Sequence, residues 1–315
     1  MRGTADLSGY GEVSGVLVEE REPGSGQSPV SSSPTWPAMR GDDHRPSRDL
    51  RTDVPHAARL YDYFLGGKDN FAADREAAAK MLEIFPGLAV GAQANRRYLG
   101  RAVRFAANLG IRQYLDIGTG IPAADNTHEV AQSVAADSRV VYVDNDPIVL
   151  AHARALLHGT PEGRTAYLDA DFRDHERILS APETTGLIDF DRPVALLTVA
   201  LLHFIPDEDR PGELLERYKA ALAPGSVLIL SHATADLVDD PEASRAVVGG
   251  YTGAGVSLTA RSRERIEEFF SGWDLVEPGI VPVSEWRPDG DLNDAALAPA
   301  QAGAFAGVAV KRVRS

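Results

Sequence analysis

Cysteine is absent from the 315-residue chain, which excludes disulfides, thiolate nucleophiles and cysteine-ligated zinc or iron–sulfur sites. Also missing is any apolar run near the ~18 residues of a membrane span. The opening MRGTADLSGYGEVSG has no apolar stretch leading to a cleavage site, as an export signal would. Positive charge is scarce: 32 lysines and arginines face 46 acidic residues, a formal charge of −14. Nucleic-acid binding rests on neutralisation of phosphates by Lys and Arg, so a polyanionic partner is disfavoured. A soluble, cytoplasmic protein is expected, with a small-molecule partner and no nucleic-acid or membrane partner. Nothing in the composition fixes its oligomeric state.

What is present changes character along the chain. The stretch PGSGQSPVSSSPTWP, residues 23–37, is Pro, Ser or Gly at 11 of 15 positions. Such a segment buries too little apolar area to offset its ordering entropy, so residues 1–48 are expected to be a disordered tail. Beyond Val54, PHAARLYDYFLGG has apolar residues at helical spacing (Ala57, Leu60, Tyr61, Phe64) and stops at a glycine pair. A second helix, DREAAAKMLEIF, should end before Pro86, and a third carries Leu99, Ala102, Val103 and Ala106 on one stripe before Gly110. Five strand-length runs follow: QYLDI, RVVYV, TAYLDA, PVALLTV and SVLIL. Helical patterns separate them, which is βαβ order and implies a parallel sheet. After helical segments near residues 236–246 and 261–269, WDLVEPGIVPV and FAGVAVKRV have no helix between them and must pair antiparallel. The pattern predicts a Rossmann-like α/β fold of seven strands, mostly parallel with the last reversed.

Candidate site residues fall at the strand ends. LDIGTGIP follows the first strand, and Gly118 and Gly120 permit a tight turn and close backbone approach at the sheet's carboxyl edge. GTGIPA also satisfies a loose dinucleotide pattern, but Asp116, just before the turn, would repel a pyrophosphate and attract an ammonium. Asp144, at the end of the second strand, is suited to accept both hydroxyls of a ribose, a role common to nicotinamide and S-adenosylmethionine sites. Its neighbours Asn145 and Asp146 also suit the cap of a helix opened by Pro147. After the third strand, Asp171 can accept from an adenine amino group and Phe172 can wall the ring, or simply pack in the core. Thr198, Ala200 and His203 follow from the fourth strand to the site's mouth. His203 is a candidate to remove a proton or orient a substrate, although a histidine bonded to backbone is an equal alternative. In THEVAQS, Gln132 stands where H-E-x-x-H requires histidine, so no metal site is expected.

The stretch YDYFLGGKDNF, residues 61–71, invites a nucleotide reading but is not a P-loop: Asp62 stands where glycine is needed, and Asp69 follows Lys68. Together with ANRRYLGRAVRF, LDIGTGIP, NTHEVAQ, VVYVDNDP, LLHFIPDED and ARSRERIEEFFSGWDLVEPGIVPV with Trp286, this stretch resembles an actinobacterial family. Its members are S-adenosylmethionine-dependent methyltransferases, long grouped as a domain of unknown function. The resemblance implies a class I methyltransferase fold with a helical N-terminal cap over residues 49–110 and a cofactor-binding core over 111–315. It also implies S-adenosylmethionine as cofactor, with Asp116, Gly118, Gly120, Asp144 and Asp171 on the general cofactor positions; Thr119, Asn145, Phe172 and Ala200 are expected beside them. In such a fold Tyr61, Tyr63, Gly66, Lys68 and Asn70 would form a lid, with the glycines as hinge, Tyr61, Gly66 and Asn70 over the cofactor, and Tyr63 and Lys68 orienting the acceptor for His203. The alternative for these residues is a helix end with an exposed lysine. The expected activity is methyl transfer to a small molecule. A non-catalytic cofactor-binding regulator and a nicotinamide-dependent oxidoreductase are the alternatives.

Overall fold

Both faces of a parallel sheet are buried by crossover helices, and the strands here show it as nearly continuous apolar runs. The computed structural model describes residues 51–312 except 157–158, 239, 291–293 and 295–296; the expected tail, residues 1–48, lies outside the described residues. The sheet contains β1 (Gln113–Ile117), β2 (Arg139–Asp144), β3 (Arg164–Asp169), β4 (Ala195–Val199), β5 (Val227–Ala233), β6 (Trp273–Leu275), β7 (Val281–Pro282) and β8 (Ala304–Lys311). Its order is β3-β2-β1-β4-β5-β8-β6, with the short β7 also on β8. β1 to β5 run parallel, and β8 is antiparallel to β5, β6 and β7. Alternate residues serve opposite faces: Leu115, Val141, Leu196 and Leu228 join one core cluster, Tyr114, Val140, Ala195 and Val227 the other.

Three helices precede the sheet: α1 (Ala57–Phe64), α2 (Ala72–Ile84) and α3 (Gly87–Asn108). α3 is built into the core. Its Tyr98 hydroxyl lies within hydrogen-bond distance of the Leu230 and Gly307 carbonyls, 3.1 and 2.7 Å away. Arg101 on the same helix donates to the carbonyls of Trp286 and Val283 and pairs with Asp294 at 2.5 Å. Trp286 is fully buried, edge-on to Tyr98. Its place is therefore structural, joining α3 to the segment before β8. No helix among the described residues is long and apolar enough to cross a membrane.

Two expectations need correction. WDLVEPGIVPV is two strands rather than one, giving eight among the described residues, because Pro278 and Gly279 (φ +84°) interrupt it between β6 and β7. The helix expected at residues 236–246 runs instead over Pro241–Gly253. Asp240 accepts from the Glu242 N–H, and Pro241 occupies the first helical position, where its missing N–H costs nothing.

Candidate functional site

The turn after β1 shapes a cleft of about 290 Å³ at the carboxyl ends of β1 to β4. Gly118 and Gly120 have φ of +74° and +69°, the left-handed region that glycine enters without steric cost. The Gly118 N–H bonds the Val143 carbonyl, drawing the turn across to β2. A side chain on Gly118 would strike Leu201 at 2.6 Å, whereas one on Gly120 would meet open space. Asp144 fixes the turn from the next strand: one carboxylate oxygen accepts from the Gly120 N–H at 2.8 Å, the other from Asp146 N–H at 2.9 Å. Burial pushes the Asp144 carboxyl up from its ordinary range, and these amides and His56 oppose the shift. Asp116 is also buried. Its carboxyl is pushed up to about 6 by burial, against the pull of the Thr127 hydroxyl, 2.6 Å away, and Arg96.

A buried carboxylate held part-way to neutrality is poised for a cation, which would return it to the ionised form. Both carboxylates retain accepting lone pairs after their protein bonds are counted. This donor and acceptor set fits a molecule with an ammonium group and a hydroxyl-bearing ribose. Asp171 is less free: Arg173 and Asn145 engage its two oxygens. Phe172 is buried and stacks on Tyr218, with centroids 5.1 Å apart, so it serves the core as well as the cleft wall.

Of the residues expected around the cofactor, Asp116, Gly118, Thr119, Gly120, Asp144, Asn145, Asp171, Phe172, Ala200 and Tyr61 line the cleft together. Gly66 and Asn70 do not, nor do Tyr63, Lys68 and His203. The loop at residues 66–70 folds around the chain's own Asp62. That carboxylate accepts from the Asp69 N–H and the Asn70 side chain at 3.0 and 2.7 Å, and the Gly67 N–H closes the end of α1 onto the Asp62 carbonyl. Gly66, at φ +80°, is the glycine cap of α1. Asp146 caps the following helix by accepting from Ile148 N–H.

His203 is carried behind the cleft. Ala200 adopts φ +53°, unusual for a residue with a side chain, and a short 3₁₀ turn over Leu202–Phe204 follows. The imidazole Nδ1 accepts from the Ala233 N–H at 3.1 Å. Burial, with His232 and Arg261 adding to it, pushes its pKa well down. His203 is therefore neutral with its proton on Nε2, a donor rather than an available base.

Several cleft residues were not among those expected at the site. Arg96 on α3 donates to Asn126 at 2.9 Å and to the Ala124 carbonyl at 3.0 Å. Asn95 joins a polar chain. Ser231 Oγ donates to Asn95 Oδ1 at 2.5 Å, Asn95 Nδ2 to the Tyr61 hydroxyl at 2.8 Å, and that hydroxyl to the Ala92 carbonyl at 3.0 Å. Ser231 in turn accepts from the Ala200 N–H. Helical periodicity marks α3 but cannot say which of its polar residues face a ligand.

The sequence pattern of a family described as S-adenosyl methyltransferase matches residues 43–312. A DUF574-family protein from Streptomyces avermitilis MA-4680 is 46% identical over 83% of this chain and 99% of its own, with a TM-score of 0.80. A protein from Thermobifida fusca YX, described as a candidate methyltransferase, is 42% identical over 86% of this chain and all of its own, with a TM-score of 0.77. No curated protein matches. The family match covers most of the chain and sets aside the oxidoreductase alternative. Its acid-floored cleft fits the same cofactor: the chain belongs to the S-adenosyl methyltransferase family, with S-adenosylmethionine as its methyl donor.

Proposed function

We propose that the protein transfers the methyl group to a small molecule lodged where the cleft meets a cavity beneath the cap helices α1 to α3. The observation that carries this reading is the junction itself, because Ala57, Tyr61, Asn95, Ala200 and Phe204 line both spaces. In this reading Asp144 accepts the ribose hydroxyls, Asp116 and Arg96 take the ammonium and carboxylate of the methionine, and Asp171 with Phe172 receives the adenine. Gly118, Thr119 and Gly120 let the backbone approach, and Asn145 steadies Asp171.

When bound, the cofactor supplies a methyl on a sulfonium, already activated for in-line displacement. The chain then has to align the acceptor and exclude water. Tyr61 is held at the junction by Asn95 and the Ala92 carbonyl, and burial keeps its phenol neutral. His203 acts from the second cavity as a hydrogen-bond donor. Gly66 and Asn70 serve the turn around Asp62, and Tyr63 and Lys68 take no part in the transfer. Three cleft carboxylates and a net charge of −14 weigh against a nucleic-acid acceptor. Calorimetry on the full chain with S-adenosylhomocysteine and with NAD tests the reading. Binding of the first alone is expected; binding of NAD alone would overturn it.

A further inference from the structure

One cavity of about 100 Å³ adjoins the cleft beneath the cap, and a second of about 100 Å³ adjoins the first. They share Phe85, Leu88, His203, Tyr251 and Gly303 as lining, and among the described residues no Asp, Glu, Lys or Arg lines either. The cavity that meets the cleft has aromatic lining: Phe64 and Tyr251, with Tyr61 and Phe204 also lining the cleft. Such walls recognise flat rings through face and edge contacts. Two adjoining spaces of this size suit a molecule of one or two rings, since a dry apolar cavity of about 150 Å³ accepts benzene.

Two polar groups point this recognition further. His203 presents Nε2–H, because Nδ1 is occupied by the Ala233 N–H, and Nε2 has no hydrogen-bond partner among the described residues. The Tyr251 hydroxyl is likewise without a partner there, and the residue as a whole is 8% exposed. Neither atom is among the sealed, unpaired polar atoms of the described residues, so a ligand oxygen can reach and pair with both. An ionic ligand would find no counter-charge in either cavity, and burying an unpaired charge is expensive.

We infer that these cavities are the acceptor site, and that the acceptor is an uncharged, planar one- or two-ring compound bearing an oxygen that accepts hydrogen bonds from His203 and Tyr251. This rests on the methyltransferase reading of the adjoining cleft. No side chain in the cavities is set up as a base: His203 already carries its proton on Nε2, and burial pushes the phenols of Tyr61 and Tyr251 up. The acceptor atom's own lone pair forms the bond to the methyl carbon, the carbon–sulfur pair returns to sulfur, and any proton on that atom leaves to water.

Coumarin, neutral and planar with a lactone carbonyl, and coumarin-3-carboxylate, the same rings with a charge, form a matched pair of probes. Each is titrated calorimetrically into the full-length protein loaded with S-adenosylhomocysteine. Coumarin is expected to bind at least about tenfold more tightly than its carboxylate. Leu88→Asp, or Val247→Asp if the first variant does not fold, should weaken coumarin by a similar factor and leave S-adenosylhomocysteine affinity unchanged. Tyr251→Phe should weaken it about three- to tenfold, the loss of one hydrogen bond. Equal or tighter binding of the carboxylate, no coumarin binding, or indifference of coumarin to the aspartate substitutions would overturn the inference while leaving the cofactor reading intact. Failure of S-adenosylhomocysteine itself to bind would instead overturn the reading beneath it.

Discussion

Two glycine turns in this molecule carry the same sequence signal and hold different things. Gly118 and Gly120, after β1, border the cleft, and a side chain on Gly120 would project into open space. Gly66 and Gly67, after α1, border no described cavity, and a side chain on Gly67 would sit 2.0 Å from the Asp62 carboxylate. One turn borders the cleft; the other closes on the chain's own acid. Paired glycines thus report close approach of something to the backbone, and only the fold says of what.

Substitution on each side sharpens the contrast most strongly. Asp144→Ala removes an acceptor from the open turn and should weaken S-adenosylhomocysteine binding by about 1 to 3 kcal/mol in a calorimetric titration. Gly67→Ala should do the reverse. Forcing a methyl against Asp62 should cost about 1 to 3 kcal/mol of stability in chemical denaturation, with cofactor affinity nearly unchanged. Unchanged binding in Asp144→Ala would reduce that residue to a brace for the turn.

Acidity gives a smaller effect confined to the cleft. Because the Asp116 carboxyl lies near 6, it is ionised at neutral pH and neutral at pH 5. If only the ionised form holds the ammonium, affinity for S-adenosylhomocysteine should fall about tenfold from pH 7 to pH 5, and Asp116→Asn should flatten that dependence. The sign for stability is opposite. A carboxyl raised by burial costs the free protein stability above pH 6, and that cost is relieved as pH falls toward its ordinary range. The smallest effect is expected from Ala200→Gly. Relieving φ +53° should change stability by less than about 1 kcal/mol and in the favourable direction, read as a slightly raised denaturation midpoint.

The strands were legible because a sheet buried on both faces writes itself as apolar runs, and the acids at their ends were legible because position after a strand fixes their place at the carboxyl edge. The Asp240-Pro241 start of the helix Pro241–Gly253 was legible in principle, since an acidic cap followed by proline marks a first turn. Asn95 and Arg96 were not, because their contacts to Ser231 and Asn126 cross from a helix to distant parts of the chain. His203 shows the same limit. Its position after β4 implied the mouth of the cleft, but the left-handed Ala200 and the bond to Ala233 N–H turn it to the cavities behind.

Hydrogen exchange read by mass spectrometry, on the full chain with and without S-adenosylhomocysteine, tests the central contrast most directly. An open cleft turn and a self-filled α1 turn predict slowed exchange on ligand addition at residues 116–121 and 144–146, with the amides of Gly67 and Asp69 already protected and unchanged. Fast exchange at residues 66–70 in the free protein that slows with ligand, and no change after β1, would contradict it and restore the lid.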